Sequence, residues 1–377
     1  MLLALALSTV LCTRAQTPAG NRFEDLSSRA QSVLDTHPDQ AIQLYKQALA
    51  IRPDWPEGWL YMGGAFYQTG RYAEATDALR KGLEMAPVFA TGWALLGLAE
   101  SQLDDSEQAL ADIRKGEELG LGGNPPFETA VRVRAAQLLI STSAFDEAFA
   151  QLQPLSKYPG NPPPVEESVG LCALASPDDM SKLSPQRRAV VALAGKAAWS
   201  FTTQHLDAAT AAYRQLIQQF PNEPGVHYAY GLFLMETDLK AALVEFQKEL
   251  QISPKHWPAM LVLASIQIRQ GAAEQAIASL HAAMKEIPAK YRWLGHLHMG
   301  RADLEVDNPP AAVSELEASV RQMPSSPTAH FYLAQAYREA GRKTEAEREK
   351  AEFEKAKVAQ DRLGVPGFHP FGEAEKN

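Results

Sequence analysis

Two histidines, His296 and His298, lie close enough along the chain to suggest a metal site. On a helix, however, residues two apart point about 200° away from each other, so these two rings cannot bind one ion. Zinc-binding helices place their ligands three or four residues apart instead. The other histidines are scattered, and we interpret each as a helix-surface or interhelix residue. The sequence therefore predicts no metal site.

A glycine-rich run and a cysteine are the other features that could carry chemistry. The run GLGGN at 120–124 resembles a phosphate-binding loop, but no strand precedes it and no Gly-Lys-Ser/Thr follows it. We interpret it as a helix end and turn. Cys172, in the apolar run SVGLCALA, is interpreted as a buried small residue. No nucleophile-elbow serine or distinctive acid pair is found, so we expect no enzyme activity and no cofactor.

The composition favours a folded protein that does not bind nucleic acid. Of the 377 residues 46% are hydrophobic, and the formal net charge is −9. Nucleic-acid-binding proteins concentrate Lys and Arg on one face to neutralise phosphates. An acidic chain is not suited to that task, so we expect no nucleic-acid partner.

The first fifteen residues have the pattern of a signal peptide. An apolar run from Leu2 to Cys12 precedes small residues at Thr13 and Ala15, as before a cleavage site, and it is too short to span a bilayer. No Lys or Arg precedes the run, so an upstream start or another role stays open, as does lipid attachment at Cys12. We expect export, to the periplasm, with a cytoplasmic location as the alternative and no membrane span in the mature chain.

A recurring spacing of large and small residues organises the elements of the chain. In residues 56–89, Trp59, Gly63 and Phe66 lie on one face of a predicted helix that Gly70 ends. A second helix follows, with small residues toward the first, and Pro87 ends it. The same spacing returns 34 residues later, and again with steps of 33, 34 and 36 after residue 186. Helix pairs at a fixed period indicate a repeat protein.

The chain resembles the tetratricopeptide-repeat family, of bacterial exported type. The resemblance implies an all-α fold, a right-handed superhelical solenoid of antiparallel helix pairs, with about eight units, some of them degenerate. It also assigns the residues that pack one helix on another. These are Trp59, Gly63, Phe66, Ala75, Pro87, Trp93, Gly97, Ala109, Gly231, Ala242, Pro254, Ala276, Pro288, Gly300, Ala312, Tyr337 and Ala346.

The repeats predict the following division of the chain. After the signal peptide, residues 16–55 form a degenerate N-terminal capping repeat, and residues 56–157 form an N-terminal sub-array. Consecutive prolines cannot continue a helix, so residues 158–188 are expected to be an irregular, proline-rich helical linker with one short helix at about 165–175. The C-terminal sub-array then covers residues 189–346, and residues 347–377 form a capping helix with a flexible tail.

The resemblance implies a scaffold that binds a partner polypeptide in a concave groove lined by the first helix of each pair. The groove candidates are Tyr67, Leu98, Phe201, Tyr228, Leu232, Met235, Leu261, Ile268, Phe331, Gln335 and Arg338, with Leu60, Gly64, Ala94 and Ser101 on the same face. This wall is apolar and aromatic, which suits a segment with hydrophobic anchors. Replacing both Tyr228 and Phe331 by alanine is expected to abolish capture without loss of stability.

Three alternatives to this groove function stay open. The groove residues could pack against the protein's own neighbouring helices. The protein could instead be a structural assembly factor of a cell-envelope complex, or a cytoplasmic co-chaperone. Family members that clamp a C-terminal carboxylate present Lys and Asn at the places of Leu60 and Gly64, and those residues are absent here.

Overall fold

The computed structural model describes residues 18–160 and 162–363. Within them every regular element is helical, with nineteen α-helices and three short 3₁₀ turns. The predicted all-α solenoid class is confirmed. The expected signal peptide at 1–15, with Cys12, and the expected tail at 364–377 lie outside the described residues.

The chain forms two compact units. Unit 1 contains residues 18–142 and 157–160 of the described chain. Its helices are α1 (Pro18–Val33), α2 (Pro38–Ile51), α3 (Pro56–Gln68), α4 (Tyr72–Met85), α5 (Ala90–Glu100), α6 (Ser106–Leu119) and α7 (Pro125–Ser141). Each packs on the next along the chain, and the first helices α3, α5 and α7 also touch one another in turn.

Unit 2 contains the described residues 143–156 and 162–363. Its helices are α8 (Phe145–Leu152), α9 (Pro163–Ala173), α10 (Pro185–Thr202), α11 (Leu206–Gln219), α12 (Val226–Leu234), α13 (Leu239–Ile252), α14 (Trp257–Arg269), α15 (Ala273–Glu286), α16 (Arg292–Glu305), α17 (Pro309–Gln322), α18 (Pro327–Glu339) and α19 (Lys343–Leu363). Sequential neighbours pack on each other here too, and α10 touches α12, α14 touches α16, and α16 touches α18.

Small residues let the two helices of a pair approach closely. A Cβ atom at Gly63 would lie 2.6 Å from Leu79, and one at Gly231 would lie 2.8 Å from Phe246. Glycine is required where helices cross this tightly. The other small residues assigned to packing are likewise buried: Ala75, Gly97, Ala109, Ala242, Ala276, Gly300 and Ala312.

The larger packing residues vary in how far they are covered. Phe66 and Tyr337 are buried, and the Tyr337 hydroxyl donates to Glu317 Oε1 at 2.7 Å. Trp59, Trp93 and Ala346 are only partly buried. The three prolines each follow the end of a second helix and are exposed or half-buried: Pro87, Pro254 and Pro288.

Within the described residues, a ring N–H forms a hydrogen bond at the junction between successive helix pairs at four places. In each, a residue of a first helix donates to the carbonyl oxygen of a proline six residues earlier, just past the preceding second helix. The pairs are Trp59 with Pro53 (2.9 Å), Trp93 with Pro87 (2.8 Å), His227 with Pro221 (2.7 Å) and His330 with Pro324 (2.9 Å). Tryptophan and histidine therefore donate the same ring N–H bond to a proline carbonyl oxygen in different repeats.

Residues 158–188, predicted to be an irregular helical linker, lie partly in a packed helix. They contain α9, which packs on α10 through two buried glycines, Gly170 and Gly195. A Cβ atom at Gly170 would overlap the carbonyl oxygen of Val191, and one at Gly195 would overlap that of Glu166. The prolines open α9 at its first turn, where no N–H bond is lost, and so do not interrupt packing.

The unit boundaries also differ from those expected. Residues 143–156 belong to unit 2, because α8 packs on α9 and Glu147 lies 3.4 Å from Lys290. Lys157 and Tyr158 belong to unit 1, where both side chains bond to Glu128 of α7. The last helix, α19, runs continuously from Lys343 to Leu363, through the end of the last predicted repeat at residue 346.

Candidate functional site

Three residues at equivalent places of successive first helices form a row in unit 1. Tyr67 lies on α3, Ser101 directly follows α5, and Arg134 lies on α7, with spacings of 34 and 33 residues. The Arg134 guanidinium donates to the Ser101 hydroxyl at 2.8 Å and to its carbonyl oxygen at 2.5 Å. Burial and the nearby Tyr72 raise the pKa of Tyr67, and Arg134 acts in the opposite direction. Sequence reasoning identified Tyr67 and Ser101 but missed Arg134, although the period places it in the row.

Several groove candidates are covered and cannot meet a partner, which corrects the prediction for them. Successive first helices touch each other, as α5 does α7 and α14 does α16, so the side chains between them are enclosed. The buried candidates are Leu60, Gly64, Ala94, Leu98, Ser101, Tyr228, Leu261 and Ile268. For these positions the alternative that the residues pack against the protein's own helices is correct.

Tyr228 illustrates why its position is structural. It is 3% exposed, and its ring centroid lies 4.7 Å from that of His256 and 5.9 Å from that of Phe246. Its backbone N–H donates to Glu249 Oε2 at 3.3 Å. Burial raises the pKa of the Tyr228 hydroxyl far above its ordinary value. Replacing Tyr228 by alanine would therefore remove core packing, contrary to the expectation of unchanged stability.

The remaining candidates in unit 2 stay accessible in part. Phe201, Leu232, Met235 and Gln335 are half-buried, and Arg338 is exposed. Phe201 packs edge-on against Phe233 with a centroid distance of 5.6 Å. These side chains present apolar surface that a partner could cover.

Phe331 is the most accessible aromatic residue of the predicted wall, at 48% exposed. Its ring centroid lies 5.1 Å from that of Tyr332 and 5.9 Å from that of Phe353 on α19. Phe331, Tyr332 and Phe353 form what we term the C-terminal aromatic cluster. Arg301 lies over Tyr332 and Lys357 over Phe353. The cluster is thus a partly exposed apolar surface with a buried cation, Arg301, against one ring and Lys357 over another.

The residues considered for metal or cofactor chemistry have other roles. His296 Nδ1 lies 2.6 Å from Glu315 Oε2, whereas His298 is buried beside Arg301. Burial, with Arg301, lowers the pKa of His298 to about 3, which leaves its ring neutral. Across residues 18–160 and 162–363, no group of three or more His, Cys, Asp or Glu side chains is placed to hold a metal ion.

The glycine-rich run and the cysteine are also structural. The run at 120–124 ends α6 and starts α7, and the Asn124 side chain accepts a bond from Phe127 N at 3.3 Å as an N-cap. Cys172 is buried on α9, and burial raises the pKa of its thiol. None of the helices in the described part of the chain is both long and apolar enough to cross a membrane.

Comparisons with known proteins agree with the helix pairs. Family models described as tetratricopeptide repeat match residues 34–99, 196–223, 233–293 and 297–356, more than half of the chain. No curated protein matches the chain significantly.

Solved structures of other helical proteins resemble this chain only weakly in sequence and in backbone. A crystal structure of MamA protein is 17% identical over 46% of this chain and 94% of its own, with a TM-score of 0.39. Pseudomonas aeruginosa PilF is 18% identical over 48% of this chain and 89% of its own, with a TM-score of 0.42. A chain of the APC/C hetero-tetramer Cut9-Hcn1 is 16% identical over 89% of this chain and 79% of its own, with a TM-score of 0.36. The matched repeats themselves, with their buried glycines and alanines at the family's packing positions, place the chain in the tetratricopeptide-repeat family.

Proposed function

We propose that the protein is a non-enzymatic scaffold that captures a partner polypeptide on the accessible first-helix surface of unit 2. The observation that supports this most is the exposure of Phe331 within the C-terminal aromatic cluster. Large aromatic side chains are seldom left half-exposed side by side on a soluble surface unless something covers them. Aromatic residues are also the most frequent anchors of protein interfaces.

The partner that suits this surface is an extended or helical segment with hydrophobic anchors. Such a segment would place an apolar side chain on Phe331, and acidic residues beside it would face Arg338 and Lys357. The net charge of −9 argues against nucleic acid as the partner. Tetratricopeptide repeats serve protein interaction generally, which is in keeping with the proposal.

Photo-crosslinking at single positions tests the proposal directly. The photoreactive residue p-benzoylphenylalanine would replace Phe331 in one variant and Leu206 in the other, in cells that make the full chain. Leu206 is a matched control, because it is an exposed apolar residue (53%) on the second helix α11. We expect a discrete crosslinked protein from position 331 and none from position 206. Crosslinks from both positions alike, or from neither, would contradict a first-helix site.

Truncation of the same residues gives an affinity readout once the partner is identified. Losing an aromatic anchor typically costs about 2 kcal/mol or more, which is about thirtyfold in affinity. Phe331→Ala should therefore weaken binding by about that factor, and Leu206→Ala should leave it unchanged.

We further propose that the protein is exported and cleaved after Ala15, on the basis of the apolar run from Leu2 to Cys12. Sequencing the N-terminus of the native protein should then give Gln16 as the first residue. A chain that begins at Met1 and fractionates with the cytoplasm would refute export.

A further inference from the structure

The C-terminal aromatic cluster lies between the last two helices, α18 and α19. Residues 340–342 join these helices, His330 Nδ1 lies 2.8 Å from Glu349 Oε2, and the ring of Phe331 faces that of Phe353. Pairs in this order make α18 and α19 antiparallel. The helix α19 therefore continues past the cluster to its end at Leu363.

The residues that follow α19 carry side chains suited to this cluster. Residues 364–377 lie outside the described part of the chain and have the sequence GVPGFHPFGEAEKN. Phe368 and Phe371 are followed by two acidic residues, Glu373 and Glu375. Aromatic or apolar anchors next to acidic residues are the features proposed above for a ligand of the Phe331 surface.

The length of this segment is sufficient for a return to the cluster. Phe353 is ten residues before Leu363, which is about 15 Å along a helix. Phe371 is eight residues after Leu363, and an extended chain of that length spans about 26 Å. Phe371 can therefore reach the cluster with length left for a reversal of the chain. The dipeptide Pro366-Gly367 favours such a turn.

The order of residues on α18 matches their order in the segment. Phe331, Gln335 and Arg338 share one stripe of α18, because they are four and three residues apart. A segment that returns along α19 runs in the direction of α18, so it meets Phe331 first and Arg338 about 10 Å later. Glu375 follows Phe371 by four residues, about 13 Å of extended chain. Arg338 is exposed and has no hydrogen-bond or ion-pair partner among the described residues, so it is available to a carboxylate.

We propose that residues 364–377 dock on the C-terminal aromatic cluster of their own chain. Phe371 would cover Phe331 and Phe353, and the acidic residues after it would face Arg338. The connection to α19 favours this contact, because a short tether gives an effective concentration in the millimolar range. An intrinsic dissociation constant of about 0.1 mM would then leave about nine-tenths of the chains docked.

Docking would make the segment a competitor of the partner polypeptide, because both need the ring of Phe331. This consequence rests on the proposed capture function, whereas the docking itself does not. The same segment of a second copy is the alternative occupant that the experiment separates.

Photo-crosslinking of the purified full chain tests the docking. p-Benzoylphenylalanine would replace Gln335, which leaves Phe331 and Arg338 in place, and the control position is again Leu206. At micromolar concentration we expect a crosslink within one chain from position 335, located by mass spectrometry at residues 371–375, and none from position 206.

Three results would overturn the proposal. A product of twice the chain mass would show that a second copy covers the cluster. A crosslink to residues 364–367 would contradict the direction of the segment. The absence of a crosslink, or the same crosslink from position 206, would show that the segment does not dock.

Substitutions in the segment test whether its aromatic residues hold it. Loss of one aromatic anchor typically weakens an interface about thirtyfold. Phe368→Ser combined with Phe371→Ser should therefore lower the crosslink yield at least about tenfold. The matched control is Val365→Ser, an apolar residue before the turn, which should change the yield little. An unchanged yield in the double variant, or an equal loss in Val365→Ser, would refute the assigned contacts.

This experiment and the crosslinking in cells fail independently. A crosslink within the purified chain, without a partner captured from position 331, would refute the capture function and leave the docking. A captured partner without a crosslink in the purified chain would support the capture function and refute the docking. Where both are found, the Phe368→Ser and Phe371→Ser double variant should capture more partner, and equal capture would refute the competition.

Discussion

His227 donates its Nε2–H to the carbonyl oxygen of Pro221 at 2.7 Å and holds the Glu245 carboxylate at 2.5 Å through Nδ1. Trp59 makes the first of these bonds, to Pro53, but a tryptophan has no second ring nitrogen with which to make the other. The Lys248 ammonium donates to the other oxygen of the same Glu245 carboxylate at 2.8 Å. The histidine therefore makes two hydrogen bonds at a junction where tryptophan makes one.

Substitutions at His227 should show how much each of these two bonds contributes to the free energy of unfolding. His227→Phe leaves the Pro221 carbonyl and the buried Glu245 carboxylate without this donor, at a cost of about 2–3 kcal/mol in the free energy of unfolding. His227→Trp can restore the carbonyl bond and should lose less. Urea denaturation followed by circular dichroism measures both, with the exposed His205→Phe as control. Equal losses for Phe and Trp would mean that the carbonyl bond contributes nothing.

Glu100 should make stability depend on pH. It is 1% exposed, and burial, with a hydrogen bond to Asp112, raises its pKa to about 7 although Arg80 opposes the shift. Between about pH 4.5 and 7 the folded chain keeps a proton here that the unfolded chain releases. This group's contribution to stability should thus fall as pH rises through that window.

Urea denaturation from pH 5 to 8 checks this for the wild-type chain and for Glu100→Gln. The wild-type free energy of unfolding should decline relative to the variant by up to about 3 kcal/mol. Glu84→Gln, at an exposed carboxylate, should follow the wild-type curve. Parallel curves for wild type and Glu100→Gln would show that Glu100 is ionised throughout.

Gly195→Ala should disrupt the crossing of α9 and α10. The added methyl would overlap the Glu166 carbonyl oxygen, and backbone cannot move aside as a side chain can. Overpacking of this kind typically costs about 1–3 kcal/mol. Thermal unfolding measures the loss, and Ala192→Ser, at an exposed position of the same helix, should change the midpoint little. An unchanged midpoint for Gly195→Ala would mean that the helices do not cross so closely.

Tyr228→Ala and Phe331→Ala should have opposite consequences. Truncating the buried Tyr228 should cost about 3–5 kcal/mol, whereas truncating the half-exposed Phe331 should cost much less. Denaturation of the two single variants measures this, and partner binding is measured in parallel. Loss of binding in Tyr228→Ala alone, with full stability, would reverse our assignment of the two residues.

The period of the repeats was enough to predict the helix pairs and their contacts. Small residues such as Gly63 and Ala75 mark where helices cross, because any larger residue is excluded there. The junction bonds were not predicted, although a proline followed six residues later by Trp or His, as in Pro53 and Trp59, is a signal readable from the sequence.

The candidate surface was predicted less well, for a physical reason. Helical spacing tells which face of a first helix points inward, but not how near the next first helix lies. Leu261 is fully enclosed because α14 touches α16, whereas Phe331 on α18 stays open. Similarly, prolines 162–164 indicate where a helix begins but not that α9 then packs against α10. The distance between two helices depends on the side chains of both and of their neighbours, so the residue pattern of one helix cannot predict it.

Because Cys172 is buried, its reactivity can report local opening of the helix that carries it. Its thiol is 8% exposed on α9, and burial raises its pKa, so little thiolate is available to a reagent in the folded state. Modification by a thiol reagent therefore requires α9 to come away from its neighbours first. The rate at which the native chain is alkylated at Cys172 would consequently measure how often α9 opens. This helix lies where the repeat pattern is least regular.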